Sequence, residues 1–173
     1  MNDIAEALWL FLPAGLANAA PVIANKIPIL NRWQASLDFG RSYKGRRVFG
    51  PNKTWRGVTF AVLVAALAGL LQAQFAYHPF DSGTAVWVAA LMGFGAIYGD
   101  AIESFLKRQY GAAAGQPWFP FDQIDYIIGG LLAAAPLALF SWPQMTAILA
   151  VYFGLHLATA YLGFRLKLKD GPI

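Results

Sequence analysis

The feature that most constrains this chain is the stretch from Tyr126 to Phe164, which contains no Asp, Glu, Lys or Arg. An uncharged run of about 18 or more residues is a candidate membrane helix, and this stretch is long enough for two. The sequence SWPQ at 141–144 supplies the turn between them. Three further apolar runs precede it, so the pattern predicts five membrane spans, at about residues 7–25, 57–75, 82–104, 124–141 and 145–164.

The composition agrees with a membrane protein. Of the 173 residues, 58% are hydrophobic and only 13% are charged, whereas a soluble domain carries about 25% charged residues. Cysteine is absent, which excludes disulfides and thiolate metal sites. We therefore expect one all-α, polytopic membrane domain over residues 1–173.

All thirteen Lys and Arg residues fall on one side of the five-span model. Eight lie in the loop 26–56, and the others are Lys107, Arg108, Arg165, Lys167 and Lys169. The positive-inside rule places that side in the cytoplasm, with the N-terminus outside the cell membrane and the C-terminus inside. The loops 26–56 and 105–123 are then both cytoplasmic. Because acidic residues and no cation precede the first span, it is predicted to be a retained helix rather than a signal peptide.

The segment KGRRVFGPNKTWRG, residues 44–57, alternates cations with glycines and a proline. Juxtamembrane cations often only face anionic headgroups, each contributing about 1 kcal/mol of attraction. Glycines, however, let the backbone approach an anion closely, and Lys and Arg then supply charge and forked donors. We therefore favour polyphosphate binding, with the candidate residues Arg46, Arg47, Asn52, Lys53, Thr54 and Arg56.

The segment GDAIESFLKR, residues 99–108, places polar side chains along one helical stripe. Asp100, Ser104, Lys107 and Arg108 have the spacing i, i+4, i+7 and i+8, so they share a face. Acidic residues at the end of a span are functional candidates because an unpaired charge there is costly. The alternative for Asp100 and for Glu103 is a local ion pair with Lys107.

The segment FPFDQIDY, residues 119–126, carries Asp122 and Asp125 one helical turn apart, just before the fourth span. Asp122 could be the N-cap of that helix, and this role is compatible with metal binding. Mg²⁺ is usually held by one or two carboxylates together with substrate phosphates. The basic loop, the stripe and this acidic pair share one membrane face, so they are predicted to line one cytoplasmic polar cavity that is open toward the bilayer.

Four segments together resemble the CDP-archaeol synthase family of membrane cytidylyltransferases: LPAGLANAAPVI, GRRVFGPNKTWRG, IYGDAIESFLKR and FDQIDYIIGG. The order of Ser104, Lys107, Arg108, Asp122 and Asp125 is similar to that of the wider superfamily, which includes CDP-diacylglycerol synthase. The longer Lys-Asp and Gly-His-Gly-Gly elements of the diacylglycerol enzymes are missing, which favours the shorter archaeol-type branch. The resemblance implies five membrane helices and Mg²⁺-dependent transfer of CMP from CTP to a phospholipid.

On this basis the predicted reaction gives a CDP-lipid and pyrophosphate from CTP and a lipid phosphate monoester, such as the archaeol-type 2,3-di-O-geranylgeranylglyceryl phosphate. Phosphoryl-type transfers need positioning and charge neutralisation more than a protein nucleophile. The predicted catalytic residues are Asp100, Asp122, Asp125 and Lys53, and the predicted Mg²⁺ ligands are Asp100, Asp122, Asp125 and Glu103. CTP would be held by the loop residues with Ser104, Lys107 and Arg108, and Asn18 would shape the lipid entrance, near the break at Pro21.

Other functions remain open at this stage. The same chemistry could act on phosphatidic acid, as in CDP-diacylglycerol synthase. A non-catalytic membrane transporter or scaffold would need no nucleotide, but the two halves show no repeat and the polar residues cluster at one face. A CDP-alcohol phosphotransferase is disfavoured because its multi-Asp signature is absent. No nucleic-acid partner is expected.

Overall fold

The computed structural model describes residues 3–75, 79–113 and 115–165, and this part of the chain is mostly helical. Lys167 and Lys169 of the predicted cytoplasmic tail lie outside the described residues. The elements in chain order are α1 Asp3–Lys26, α2 Pro28–Asn31, β1 Ser42–Tyr43, β2 Arg46–Arg47, α3 Trp55–Gln72, α4 Ser82–Gln109, α5 Phe121–Ala134 and α6 Trp142–Arg165.

Four of the helices, α1, α3, α4 and α6, are long and apolar enough to cross a membrane. They correspond to four of the five predicted spans. Helix α5 has 14 residues, or about 21 Å at 1.5 Å per residue, which is less than the bilayer core of about 30 Å. The fourth span was therefore predicted too long, and five spanning helices are not confirmed. Pro136 explains the early end of α5, because proline has no backbone N–H and so cannot continue the helical hydrogen bonds.

The chain nevertheless passes from one end of the bundle to the other in this region. Asp122, in the first turn of α5, contacts Lys107 near the end of α4. Gln144, at the start of α6, donates a hydrogen bond of 3.1 Å to the carbonyl oxygen of Asp3, at the start of α1. Helix α5 and the non-helical residues 135–141 together cover the distance between these two ends.

Small residues bring the helices of the core close together. Gly93 of α4 packs against Ala65 of α3 and Ala17 of α1, and Gly69 of α3 packs against Ala85 of α4. Small residues at such positions let helix backbones approach closely, which is the usual basis of helix association in membranes.

The segment between α1 and α3 is more ordered than the irregular loop predicted from its glycines. Strands β1 and β2 pair antiparallel, with Ser42 opposite Arg47 and Tyr43 opposite Arg46. The hairpin turn has positive φ at Lys44 (50°) and Gly45 (77°), as a type I′ turn requires. Helix α3 begins after this segment with Thr54 as its N-cap, whose side chain accepts a hydrogen bond from the Gly57 N–H.

Candidate functional site

The site begins with an unusually close contact between α4 and α5. A Cβ atom added at Gly99 would overlap the carbonyl oxygen of Asp125, and one added at Gly95 would overlap that of Gly129. Since only glycine permits these contacts, the two glycines of α4 draw the start of α5 onto the end of α4. Asp125 is thereby placed beside the acidic residues of α4.

Three carboxylates meet at this contact. Asp100, Glu103 and Asp125 each offer one oxygen, and these oxygens lie within 4.8 Å of one another. Glu103 is buried, and its Oε1 lacks a hydrogen bond within the described part of the chain. Carboxylate oxygens are the ligands that Mg²⁺ and Ca²⁺ prefer, so this group, which we call the acidic trio, fits a hard divalent cation. Asp122 lies outside the trio.

Two lysines are paired with these carboxylates. Lys53 Nζ donates to both carboxylate oxygens of Asp100, at 2.6 Å each. Lys107 Nζ donates to Asp122 Oδ1 at 2.5 Å and lies 3.2 Å from Glu103 Oε1, outside hydrogen-bond geometry. The local alternative considered for Glu103 is therefore present in the structure, whereas Asp100 pairs with a lysine of the distant basic loop.

A polar cleft of about 130 Å³ connects the basic loop with the ends of α4 and α5. Eight of its lining residues were candidates from the sequence: Asn52, Lys53, Asp100, Glu103, Ser104, Lys107, Arg108 and Asp122. The other four lining residues are Phe49, Gly50, Pro51 and Gly115; of these, Gly50 and Pro51 belong to the bend expected in the basic loop, and the sequence did not single out Phe49 or Gly115. The structure thus brings the main parts of the three predicted clusters together.

Asp122 has a different environment from the one expected of a helix N-cap. Helix α5 begins at Phe121, and Pro120 occupies the cap position without a side-chain hydrogen bond. Asp122 Oδ2 instead accepts a hydrogen bond of 2.6 Å from the Trp118 N–H, while its other oxygen holds Lys107. Asp122 therefore fixes Lys107 against the chain that precedes α5.

Arg56 does not line the cleft. It is buried, with 6% of its surface exposed, and its guanidinium donates to the side-chain oxygens of Asn25 and Asn31, both at 3.0 Å. These contacts fasten the start of α3 to the end of α1 and to α2. Asn18, half-buried in α1, is also absent from the described residues that line the cleft.

The two arginines of β2 are likewise engaged within the protein. Arg46 donates to the carbonyl oxygens of Arg108, at 3.3 Å, and of Gln109. These are among the last carbonyls of α4, which have no partner inside the helix. Arg47 instead forms a bidentate pair with Asp38, at 2.5 and 3.2 Å.

Asp38 was not a candidate from the sequence, although the structure makes it a centre of the basic loop. Burial by itself raises the pKa of Asp38, but hydrogen bonds from Arg47 and from three backbone N–H groups outweigh it and hold that pKa well below its ordinary value. The ionised Asp38 carboxylate therefore stabilises the folded protein at pH values above its unfolded pKa of about 3.9. This contribution is lost as the pH falls through the lower pKa of the folded state. The sequence did contain a signal for this role, because Asp38 is the only acidic residue in the cation-rich loop 26–56.

The apolar helices and the charged cleft at one end of the bundle define a multi-pass membrane protein with a polar site. The model of the CarS-like CDP-archaeol synthase family matches residues 1–173. The CDP-archaeol synthase of Pyrococcus furiosus is 35% identical over 99% of both chains. That of Pyrobaculum calidifontis is 33% identical, also over 99% of both. The chain therefore belongs to the CDP-archaeol synthase family.

The fold has a solved counterpart. A structure described as an intramembrane enzyme for archaeal membrane lipid biosynthesis matches with a TM-score of 0.79 and 30% sequence identity. The match covers 90% of this chain and 93% of the other. It supports the helical, multi-pass architecture.

Proposed function

We propose that this protein transfers CMP from CTP to an archaeal lipid phosphate monoester, giving a CDP-lipid and pyrophosphate in a Mg²⁺-dependent reaction. Membership of the CDP-archaeol synthase family supports cytidylyl transfer from CTP. The favoured acceptor is the archaeol-type 2,3-di-O-geranylgeranylglyceryl phosphate, since the relatives named above are archaeal proteins.

The observation that carries the proposal is that Asp100 and Glu103 line one cleft together with cations from two distant segments, while Asp125 completes the acidic trio behind them. Lys53 comes from the basic loop, and Lys107 and Arg108 come from the end of α4. A triphosphate needs several positive charges, and a catalytic metal needs carboxylates that leave room for phosphate oxygens. The cleft provides both the cations and the carboxylates, and they are close enough for Lys53 to contact Asp100 and for Lys107 to contact Asp122.

The reaction forms one bond and breaks one. A phosphate oxygen of the lipid attacks the α-phosphorus of CTP, the bond from that phosphorus to the bridging oxygen breaks, and pyrophosphate leaves with the bonding electrons. Bound Mg²⁺, held by Asp100, Glu103 and Asp125, would neutralise charge on the triphosphate. Positioning and charge neutralisation account for most of the catalysis in transfers of this kind.

The cations of the cleft have separable roles. Lys53 holds Asp100 in the structure, and it would become available to a phosphate if Asp100 served as a metal ligand. Lys107 is aimed by Asp122 and would contact the leaving pyrophosphate together with Arg108. Ser104, buried in the cleft wall, can donate its hydroxyl hydrogen to a phosphate oxygen. Lys107 therefore depends on Asp122 for its position.

The cleft is assigned to the cytoplasmic side of the cell membrane, where CTP is available. Lys26, Lys107, Arg108 and Arg165 all lie in the last turns of their helices, consistent with the positive-inside rule. The lipid would enter from the bilayer, and Asn18, a polar residue of α1, remains the residue proposed to shape that entrance.

The experiment is an assay of purified protein with CTP, Mg²⁺ and a panel of lipid phosphates. The proposal predicts a CDP-lipid from the archaeol-type ether phosphate, loss of product with chelator and recovery with added Mg²⁺. A preference for diacyl phosphatidic acid would reassign the acceptor, and no product from any lipid phosphate would favour a transporter or scaffold. Asp122→Asn separates two roles: an orienting Asp122 affects CTP affinity, whereas a metal-ligating Asp122 changes the Mg²⁺ requirement.

A further inference from the structure

Asp38 is a buried carboxylate outside the cleft with an unusually full set of hydrogen bonds. Only 4% of its surface is exposed. Its oxygens accept from the N–H groups of Gly40 at 2.9 Å, Phe49 at 3.1 Å and Gly50 at 3.0 Å, in addition to the bidentate pair with Arg47. A carboxylate satisfied in this way is well stabilised in its ionised form.

The donors to Asp38 include the backbone that forms one wall of the cleft. Phe49 and Gly50 both line the cleft, followed directly by Pro51, Asn52 and Lys53. Gly50 has a φ of +96°, a backbone conformation that residues with a side chain rarely adopt. The bend of the chain into the cleft therefore depends on this glycine. Asp38 thus holds the first residues of the segment 49–53.

The other end of the same segment is held by the neighbours of Asp38. The Leu37 N–H donates to the carbonyl oxygen of Lys53 at 2.8 Å, and the Trp55 N–H donates to that of Ala35 at 3.0 Å. The short stretch 35–38 therefore braces both ends of the wall. From this wall the Lys53 ammonium reaches Asp100.

We propose that Asp38 is a positioning residue that holds the segment 49–53 against the cleft and so places Lys53 opposite Asp100, with Arg47 as its fixed counterion. Arg47 then acts through Asp38 and is not a direct ligand of phosphate, contrary to the assignment made from the sequence. The consequence for CTP binding rests on the proposed function. The ordering of the segment does not.

Two measurements on detergent-purified full-length protein test this: the rate of trypsin cleavage after Lys53 without nucleotide, and the affinity for CTP by titration calorimetry. The variants are Asp38→Asn, Arg47→Met and their combination. Asp81→Asn is the matched control, because Asp81 also accepts backbone N–H bonds, from Gly83 and Thr84, but at the start of α4. The control should leave both measurements unchanged.

Asp38→Asn should speed cleavage after Lys53 and weaken CTP binding, each about tenfold, as expected when charge-assisted hydrogen bonds are lost. Arg47→Met should have a similar effect alone and little further effect in the Asp38→Asn background, because the two residues act as one unit. If Asp38→Asn is too unstable to purify, Arg47→Met and Arg47→Lys still decide the matter. Arg47→Lys keeps the positive charge beside Asp38, so it should retain part of the protection that Arg47→Met removes.

Unchanged cleavage in the Asp38 or Arg47 variants would overturn the positioning role. Fully additive losses of CTP affinity would also contradict it, because they would make Arg47 an independent phosphate ligand. If the wild-type protein binds no CTP, the proposed function fails, and the cleavage rates alone still test the role of Asp38.

Discussion

Replacing Lys53 with methionine should have opposite effects on metal binding and on CTP binding. In the structure, the ammonium group of Lys53 occupies both oxygens of Asp100, and Asp100 is also a member of the acidic trio. A metal ion that binds without nucleotide would therefore compete with the Lys53 ammonium for Asp100. A metal arriving with CTP need not leave the ammonium unpaired, because a phosphate can take the place of Asp100.

The size of the effect follows from the exposure of the pair. The side chains of Lys53 and Asp100 are 21% and 27% exposed, so the pair lies between a surface salt bridge, at about 0–1 kcal/mol, and a buried charged hydrogen bond, at about 1.5–3 kcal/mol. About 1.4 kcal/mol corresponds to a tenfold change in Kd. Lys53→Met should therefore bind metal alone about tenfold more tightly and bind CTP about tenfold more weakly.

The metal measurement is a titration with Mn²⁺, followed by electron paramagnetic resonance of the free ion, on purified protein without nucleotide. Calorimetry gives the CTP affinity. Lys26→Met is the matched control, since Lys26 is an exposed lysine at the end of α1, and it should alter neither constant. Weaker or unchanged Mn²⁺ binding by Lys53→Met would refute the idea that the lysine and the metal compete for Asp100.

Further predictions concern the trio, the helix contact and the orientation. Asp100→Asn should abolish most turnover while the protein remains folded in detergent; full activity would remove Asp100 from the metal site. Gly99→Ala should lower both the melting temperature and the activity, because its Cβ would overlap α5, whereas Gly154→Ala, with open space around it, should be harmless; equal effects would contradict the packing argument. In this cysteine-free chain, Ser82→Cys should label from outside intact cells and Ser42→Cys only after permeabilisation, and the reverse pattern would place the cleft on the wrong side.

The sequence was sufficient for the positions of the long helices but not for the length of α5. Uncharged runs identify α1, α3, α4 and α6 because each must satisfy its own backbone in an apolar environment. The run from Tyr126 onward hides the end of α5 since it continues uncharged past Pro136. Charge patterning indicates where a chain can enter a membrane, whereas the end of α5 at this proline depends on a missing backbone hydrogen-bond donor.

The arrangement of the candidate side chains could be predicted from the sequence where it depends on helical spacing. The stripe of Asp100, Ser104, Lys107 and Arg108 follows from the helical period of α4. These four residues line a cleft only because the basic loop folds over the end of α4. The pairing of Lys53 with Asp100 joins residues 47 apart in the sequence, and no local pattern encodes it.

Charge counting could not tell which cations of the basic loop have partners within the protein. Arg46, Arg47 and Arg56 belong to the same basic segment as Lys53, yet each arginine is bound by other parts of the protein. An arginine offers five donors in a planar fork, so it serves equally well to hold helix ends, carboxylates and amides together. The direction of such a side chain depends on tertiary contacts that residue type and spacing do not specify.

The central claim, cytidylyl transfer at the acidic trio, is tested most directly by following the phosphates of CTP. Purified protein should be incubated with Mg²⁺ and an archaeol-type ether lipid phosphate, in parallel with CTP labelled at the α- or the γ-phosphate. We predict that the α label enters the lipid fraction and that the γ label is released into water as pyrophosphate. Asp100→Asn should abolish both the transfer of the α label and the release of pyrophosphate. Transfer of the γ label to the lipid, or undiminished transfer by Asp100→Asn, would contradict the account.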